Sequence, residues 1–210
     1  METTQRPSLA RRAMAYESAM WRSFFRWILR RDTTPPPGVQ AFGYVGVVRP
    51  ILMAFIVLSG VEIPIFDLII SRLVPWEWVR WTVLGLGIYG FIWMLGLLAM
   101  LTLHPHLVDD TGIRIRNSIS LDLTIPWDNI AAVNGRYRSL ASSKGVQIEH
   151  DDSGPIVNLA AAGQTNVDIT LREPAALPLP KGPSEPTTRV RIYADQPDAF
   201  VASVRERVLR

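Results

Sequence analysis

The sequence predicts a membrane α-helical hairpin of two apolar spans, followed by an α+β domain: a small β-sandwich or half-barrel of about seven strands, capped by a C-terminal helix. Three observations carry this. Residues 81–103 run for 23 positions without a charge. Residues 47–70 are apolar apart from Arg49, Ser59, Glu62 and Asp67. From His104 onward the pattern changes to short alternating runs broken by Gly, Asn, Asp and Pro, ending in one segment of helical period.

The composition agrees with this division. The chain has 210 residues, 20% of them charged, 48% hydrophobic and none cysteine. Its mean hydropathy of +0.15 is high for a soluble domain. Apolar content at this level excludes a disordered chain, and the absence of cysteine excludes a disulfide-stapled one. The net charge of +3 and pI near 9.6 invite a nucleic-acid reading, which the distribution of charge opposes. Residues 1–50 carry eight arginines against three acids, whereas residues 104–210 carry twelve Lys or Arg against thirteen acids. The positive charge sits beside the first apolar span, as in a juxtamembrane basic segment, and no nucleic-acid partner is expected.

Residues 8–31 fit a 3.6-residue period. Met14, Trp21, Phe24, Phe25 and Ile28 fall on one arc, and Arg11, Arg12, Arg22, Arg26 and Arg30 on the opposite one. A basic, aromatic-rich amphipathic helix suits a membrane interface, with Trp21, Phe24 and Ile28 in the acyl boundary and Arg22 and Arg26 toward anionic headgroups. The plainer alternative is a helix packed on its own protein. Arginines every few residues leave no uninterrupted apolar core for a signal peptide. Residues 32–38 (DTTPPPG) stop the helix and make a stiff linker.

A hydrocarbon core takes roughly 20 helical residues, so 47–70 and 81–103 both qualify as spans. The ten residues between them, 71–80, read as a turn, with Trp76, Trp78 and Trp81 as an aromatic belt. The eight arginines at or before the first span, against Arg72 and Arg80 in the turn, put both termini on the cytoplasmic side. The expected organisation is a basic helix and linker (1–38), a two-helix hairpin (39–103) and a cytoplasmic β domain (104–210).

Within that domain, candidate strands are 106–108, 113–116, 119–125, 130–133, 146–150, 155–159, 167–171 and 189–193. Residues 109–112 (DDTG) read as a hairpin turn, and 173–186, with five prolines, as an extended exposed loop. Asp195 is placed to cap the final helix. Phe200, Val201, Val204 and Val208 form its apolar face.

The run Val108-Asp-Asp-Thr-Gly-Ile-Arg-Ile-Arg-Asn117, followed by Ile125-Pro-Trp-Asp-Asn-Ile130, resembles the bacterial pleckstrin-homology-like (PH-like) domains of actinobacterial membrane proteins. Two membrane helices just before the domain also match that group. The resemblance covers roughly residues 80–210 and implies a membrane-tethered PH-like fold without a defined activity. Gly112, Pro126 and Trp127 serve turns and packing in it.

Candidate sites are few. Gly85-Leu-Gly87-Ile-Tyr-Gly90 matches G-x-G-x-x-G but lies inside an uncharged span, where small residues serve helix packing. Glu62 and Asp67 are ionisable groups in the first span and functional candidates by default. Folding the hairpin about residue 76 sets Glu62 opposite Gly90 and beside Tyr89, so the bland expectation is a hydrogen bond from Glu62 to the second helix. His104, His106, Asp109 and Asp110 match no metal-ligand spacing. No nucleophile elbow or P-loop lysine pattern is present, so neither an enzymatic activity nor a cofactor is expected. Arg114, Arg116, Arg136, Arg138 and Lys144 are the basic residues that could reach lipid headgroups. The expected function is a membrane-anchored PH-like binding or scaffolding protein at the bacterial inner (plasma) membrane. Its expected partners are the bilayer and a protein partner or a second copy. The alternatives are an anionic-headgroup binder and a small transport or proton-linked component using Glu62.

Overall fold

The computed structural model describes residues 9–29, 35–117 and 121–208. The chain divides into two units: Arg49–Met100 with the N-terminal helix, and Leu101–Arg210 with Asp32–Val48.

The helical unit holds α1 (Leu9–Ile28), α2 (Arg49–Leu73) and α3 (Glu77–Thr102). Eighteen-residue stretches of α2 and α3 reach mean hydropathies of 2.1 and 2.0, so both helices are long and apolar enough to cross a membrane. Most of their apolar side chains are exposed. The turn between them is shorter than 71–80. Helical bonding continues through Leu73, with Val74 N–H donating to the Ile70 carbonyl (2.9 Å), and resumes at Glu77. Trp76, Trp78 and Trp81 are exposed around this turn. α2 and α3 meet through Leu52, Ile56 and Leu98 near the ends away from the turn.

α1 forms where its amphipathic period places it, and part of its apolar arc packs on α3. Met20 is fully buried and Phe24 nearly so. A methyl group built on Gly96 of α3 would lie 3.1 Å from Met20 Cγ, so the glycine makes the notch that admits Met20. Trp21 lies 6.3 Å from the Tyr89 ring. Phe25 and Ile28 stay exposed, as do Arg22 and Arg26. The interfacial reading gave Phe24 to lipid, whereas it is spent within the protein. Arg30 and the side chains of Arg11 and Arg12 lie outside the described residues.

In the β unit, β1 (Gln40–Phe42), β2 (His106–Val108), β3 (Gly112–Asn117) and β4 (Leu121–Pro126) form an antiparallel sheet in chain order. The first strand moves the expected boundaries. Residues 39–48 were assigned to the hairpin, yet β1 pairs with β2 in register, Gln40 with Val108 and Phe42 with His106. The two long helices are therefore inserted between neighbouring strands of one sheet, and 104–210 is an incomplete domain.

A 3-10 turn (Trp127–Asn129) leads to the second sheet. Its strands are β5 (Ile130–Ser139), β6 (Val146–Asp151), β7 (Gly154–Leu159), β8 (Gln164–Ala175) and β11 (Thr187–Ile192), in the order β5-β8-β11-β7-β6. Only the β11–β7 pair is parallel. The proline-rich segment is not a plain exposed loop. It carries a small ribbon, β9 (Pro178–Leu179) with β10 (Gly182–Pro183), and buries Leu177 and Ser184. Alternation builds the core. Leu121, Leu123 and Ile125 of β4 point inward between exposed Asp122, Thr124 and Pro126.

α4 (Pro197–Val208) adds Phe200, Val201 and Val204 to that core. Proline at its first position is the residue least harmed by a missing N–H. Asp195 does not cap α4. Its carboxylate accepts from Gly46 N–H (2.7 Å), and its own N–H donates to the Gly43 carbonyl (2.7 Å). A side chain on either glycine would collide with Asp195, so the chain after β1 is held by a residue about 150 positions downstream.

Candidate functional sites

The turn at Asp109–Gly112 forms as expected. Asp109 Oδ1 accepts from the Thr111 N–H and hydroxyl and from Gly112 N–H. A Cβ on Gly112 would sit 2.1 Å from the Ile125 carbonyl oxygen, so only glycine fits. Trp127 is partly buried, less deeply than its motif suggests. It rests on the core and donates its indole N–H to the Asp109 carbonyl (3.0 Å), tying the 3-10 turn to the β2–β3 turn. Pro126 is exposed at the end of β4, paired with Gly112.

His106 joins the two sheets. It is 3% exposed and stacked on Tyr44, with ring centroids 5.0 Å apart. Nδ1 accepts from Arg116 N–H (3.1 Å). The ring proton therefore sits on Nε2, which faces the Tyr193 carbonyl at 3.0 Å. Burial, reinforced by the Arg116 charge, pushes its pKa down to about 4. The other residues drawn as metal candidates are likewise engaged: Asp109 in its own turn, and Asp110 with Arg207 (2.8 Å). No group of three potential metal ligands converges among the described residues.

The five basic candidates do not make one cluster. Arg114 and Arg116 share a face of β3, where Arg114 makes a two-pronged pair with Asp122 (2.7 and 2.6 Å) and Arg116 lies 3.8 Å from it. That partnership holds the Asp122 carboxyl below its ordinary range. Arg138 on β5 pairs with Asp168 (3.2 Å). Arg136 and Lys144 are exposed, with no carboxylate at ion-pair distance among the described residues. Strand registers nevertheless bring four of the five to one end of the β unit. This end carries Phe42 and His106, where the chain leaves for the apolar helices and returns. Arg116 bonds His106 there, and Gly145 lies against Asn117. Arg138 faces Thr165 beside the β7–β8 turn. Tyr137, 63% exposed, stands between Arg136 and Arg138.

Sequence reasoning missed a second surface of the β unit. A groove of about 720 Å³ runs between the edge strand β6 and the ribbon, floored by Val146, Ile148, Leu179, Pro180 and Pro183. Lys144 and Lys181, the only lysines of the chain, stand on it. No local signal marks it, because the ribbon lies some thirty residues from β6 in sequence.

In the helical unit, Arg80 grips Asp67 with two hydrogen bonds of 2.8 Å near the turn. Between that pair and the apolar contact at Leu52, Ile56 and Leu98 lies a groove of about 440 Å³ along α2 and α3. Glu62, Gly87 and Gly90 line it. Of the glycine motif, Gly87 alone serves close packing, since a Cβ there would lie 3.2 Å from Ile63 Cγ1, while Gly85 and Gly90 face open space. The expected bond from Glu62 to α3 is absent: Tyr89 donates to Glu17 of α1 (2.7 Å) instead. Glu62 is exposed and has no hydrogen-bond partner among the described residues.

No protein-family model matches the chain, and no curated protein or solved structure does either.

Proposed function

We propose that this chain is a non-enzymatic, membrane-anchored binding or scaffolding protein of the bacterial plasma membrane, with both termini cytoplasmic and a PH-like β domain. The observation that carries the reading is the insertion of two membrane-length helices between the paired strands β1 and β2. Neighbouring strands lie about 5 Å apart, so both connections to the hairpin leave from one spot without a long tether. Such an attachment suits a β domain tethered to the membrane by both of its chain connections. The PH-like assignment is supported by strand order. Without the β6–β7 hairpin and the ribbon, there remain a four-strand meander, the antiparallel set β5-β8-β11 and a terminal helix. The partner surface best supported is the groove beside β6, which combines an open strand edge, an apolar floor and two lysines.

A second reading is favoured by the end of the β unit facing the hairpin connections. Arg136, Tyr137 and Lys144 are exposed there, two free cations with an amphipathic ring, as anionic headgroup contact requires. One experiment addresses both. A photo-crosslinking residue is placed at Ile148 or at Tyr137 of the full chain in its own membrane. The scaffolding reading expects discrete protein adducts from Ile148, and the headgroup reading expects lipid adducts from Tyr137. No adduct from Ile148 would refute the scaffold.

A further inference from the structure

We infer that the hairpin is a dimerisation element, and that the occupant of the groove between α2 and α3 is α2 of a second copy of this chain, held through Glu62 at the bilayer midplane. The inference rests on the hairpin spanning a membrane and is independent of what the β unit binds. Glu62 stands thirteen residues from the start of α2 and eleven from its end, within about 2 Å of the helix midpoint. A carboxyl group at that depth is costly in lipid and seeks a polar partner. This chain supplies none among its described residues, since Tyr89 is engaged by Glu17 and Arg80 by Asp67.

A protonated carboxyl group is donor and acceptor at once. Two copies related by a two-fold axis can therefore pair Glu62 with Glu62 across the contact. The arrangement is self-complementary, as an isologous contact must be. The surroundings admit a helix. Gly90 faces open space in the groove. Gly87 and Gly96 are nine residues apart, about half a turn around α3, so the face that takes Met20 of α1 lies across from the groove.

The chain contains no cysteine, which makes disulfide trapping clean. Ser59→Cys and Phe66→Cys are on the Glu62 face of α2, and Val57→Cys lies roughly 140° away. Each is introduced into the full chain, in its membrane, and oxidised. S59C and F66C are expected to form linked dimers and V57C none. Adding Glu62→Leu to S59C should lower dimer yield about tenfold or more, whereas Glu62→Gln, which keeps donor and acceptor, should preserve it. Leucine favours insertion, so a loss with E62L does not reflect failure to enter the membrane. Dimers that trap through V57C, or survive E62L unchanged, or no dimers at all, would overturn the inference. Alkaline extraction separates the two levels: a chain that stays in the membrane without dimerising defeats this inference alone, and a chain that extracts defeats the membrane anchor with it.

Discussion

His106 should make the β unit acid-labile in a window set by its own burial. Its folded pKa is depressed from 6.5 to about 4. A depressed basic group favours the native state when neutral. The contribution is therefore complete above the unfolded value of 6.5 and is lost as pH falls toward the folded value. Linkage between those values gives a loss of about 2 kcal/mol by pH 5 and about 3 kcal/mol by pH 4. On a domain whose whole stability is some 5–15 kcal/mol, this is a large share. The structural source is the loss of geometry on protonation: Nδ1 can no longer accept from Arg116 N–H, and a second cation appears beside the Arg116 guanidinium. The assay is hydrogen exchange of β11 peptides, read by mass spectrometry in the detergent-solubilised full chain from pH 7.5 to 4.5. Rates are corrected for intrinsic exchange and compared with His106→Phe. Phenylalanine keeps the stack on Tyr44 and removes the titration, so the difference between the two proteins isolates His106 from the carboxylates. Opening free energies that run parallel in the two proteins across this range would refute the reasoning. So would an imidazole titration of His106 above pH 6 by NMR.

Residues 104–208 alone should fail to give a protected β core, because they lack β1. Joining 35–48 to 101–208 through a short turn in place of the hairpin should restore it, as judged by hydrogen exchange at Val190 and Ile192. Gly112→Ala should cost roughly 3 kcal/mol in denaturant unfolding of that joined domain, since the new methyl meets the Ile125 carbonyl; a change below about 0.5 kcal/mol would contradict the contact. Trp127→Phe should cost about 1 kcal/mol for the lost bond to Asp109, and Trp127→Ala about 3 kcal/mol or more for the lost packing as well. Equal costs would show that only the bond to Asp109 matters and the packing does not.

What the sequence disclosed followed the range of the interactions concerned. The spans were legible because a charge-free run of helical length is a local property. Seven of the expected strands, from 106–108 to 189–193, fall on observed strands, since alternation is local too. The eighth, 119–125, begins in residues outside those described and is observed as β4 from Leu121. β1 was not legible: three residues, Gln-Ala-Phe, carry no period, and their partner lies beyond the hairpin. The role of Asp195 was misjudged for the same reason, because a carboxylate before a helix is a cap by local rules, while Gly43 and Gly46 reach it from the other end of the chain. Arg114 and Arg138 looked like free charge in sequence, and only strand pairing reveals Asp122 and Asp168 beside them. Spacing along the hairpin put Glu62 beside Tyr89, but Glu17 of α1 takes that partner, a competition between α1 and α2 that spacing could not express.

The interruption of the first sheet also dictates an order of events during synthesis. β1 leaves the ribosome before the hairpin and cannot pair until β2 emerges, residues 43–105 later. At ordinary elongation rates that is a delay of several seconds. During it the nascent strand has no partner, and its Phe42 waits for a core built from residues not yet made. Pairing of the two helices, in a membrane if they cross one, would end the wait by bringing the flanks of the gap together, so the entropy of closing a long loop would fall on helix pairing before the sheet forms. The β unit is thus completed only after the helical pair that interrupts its first sheet. A hairpin that stalls or inserts in the wrong sense would leave a β unit without its first strand, exposed at the edge of β2 to pairing with other chains.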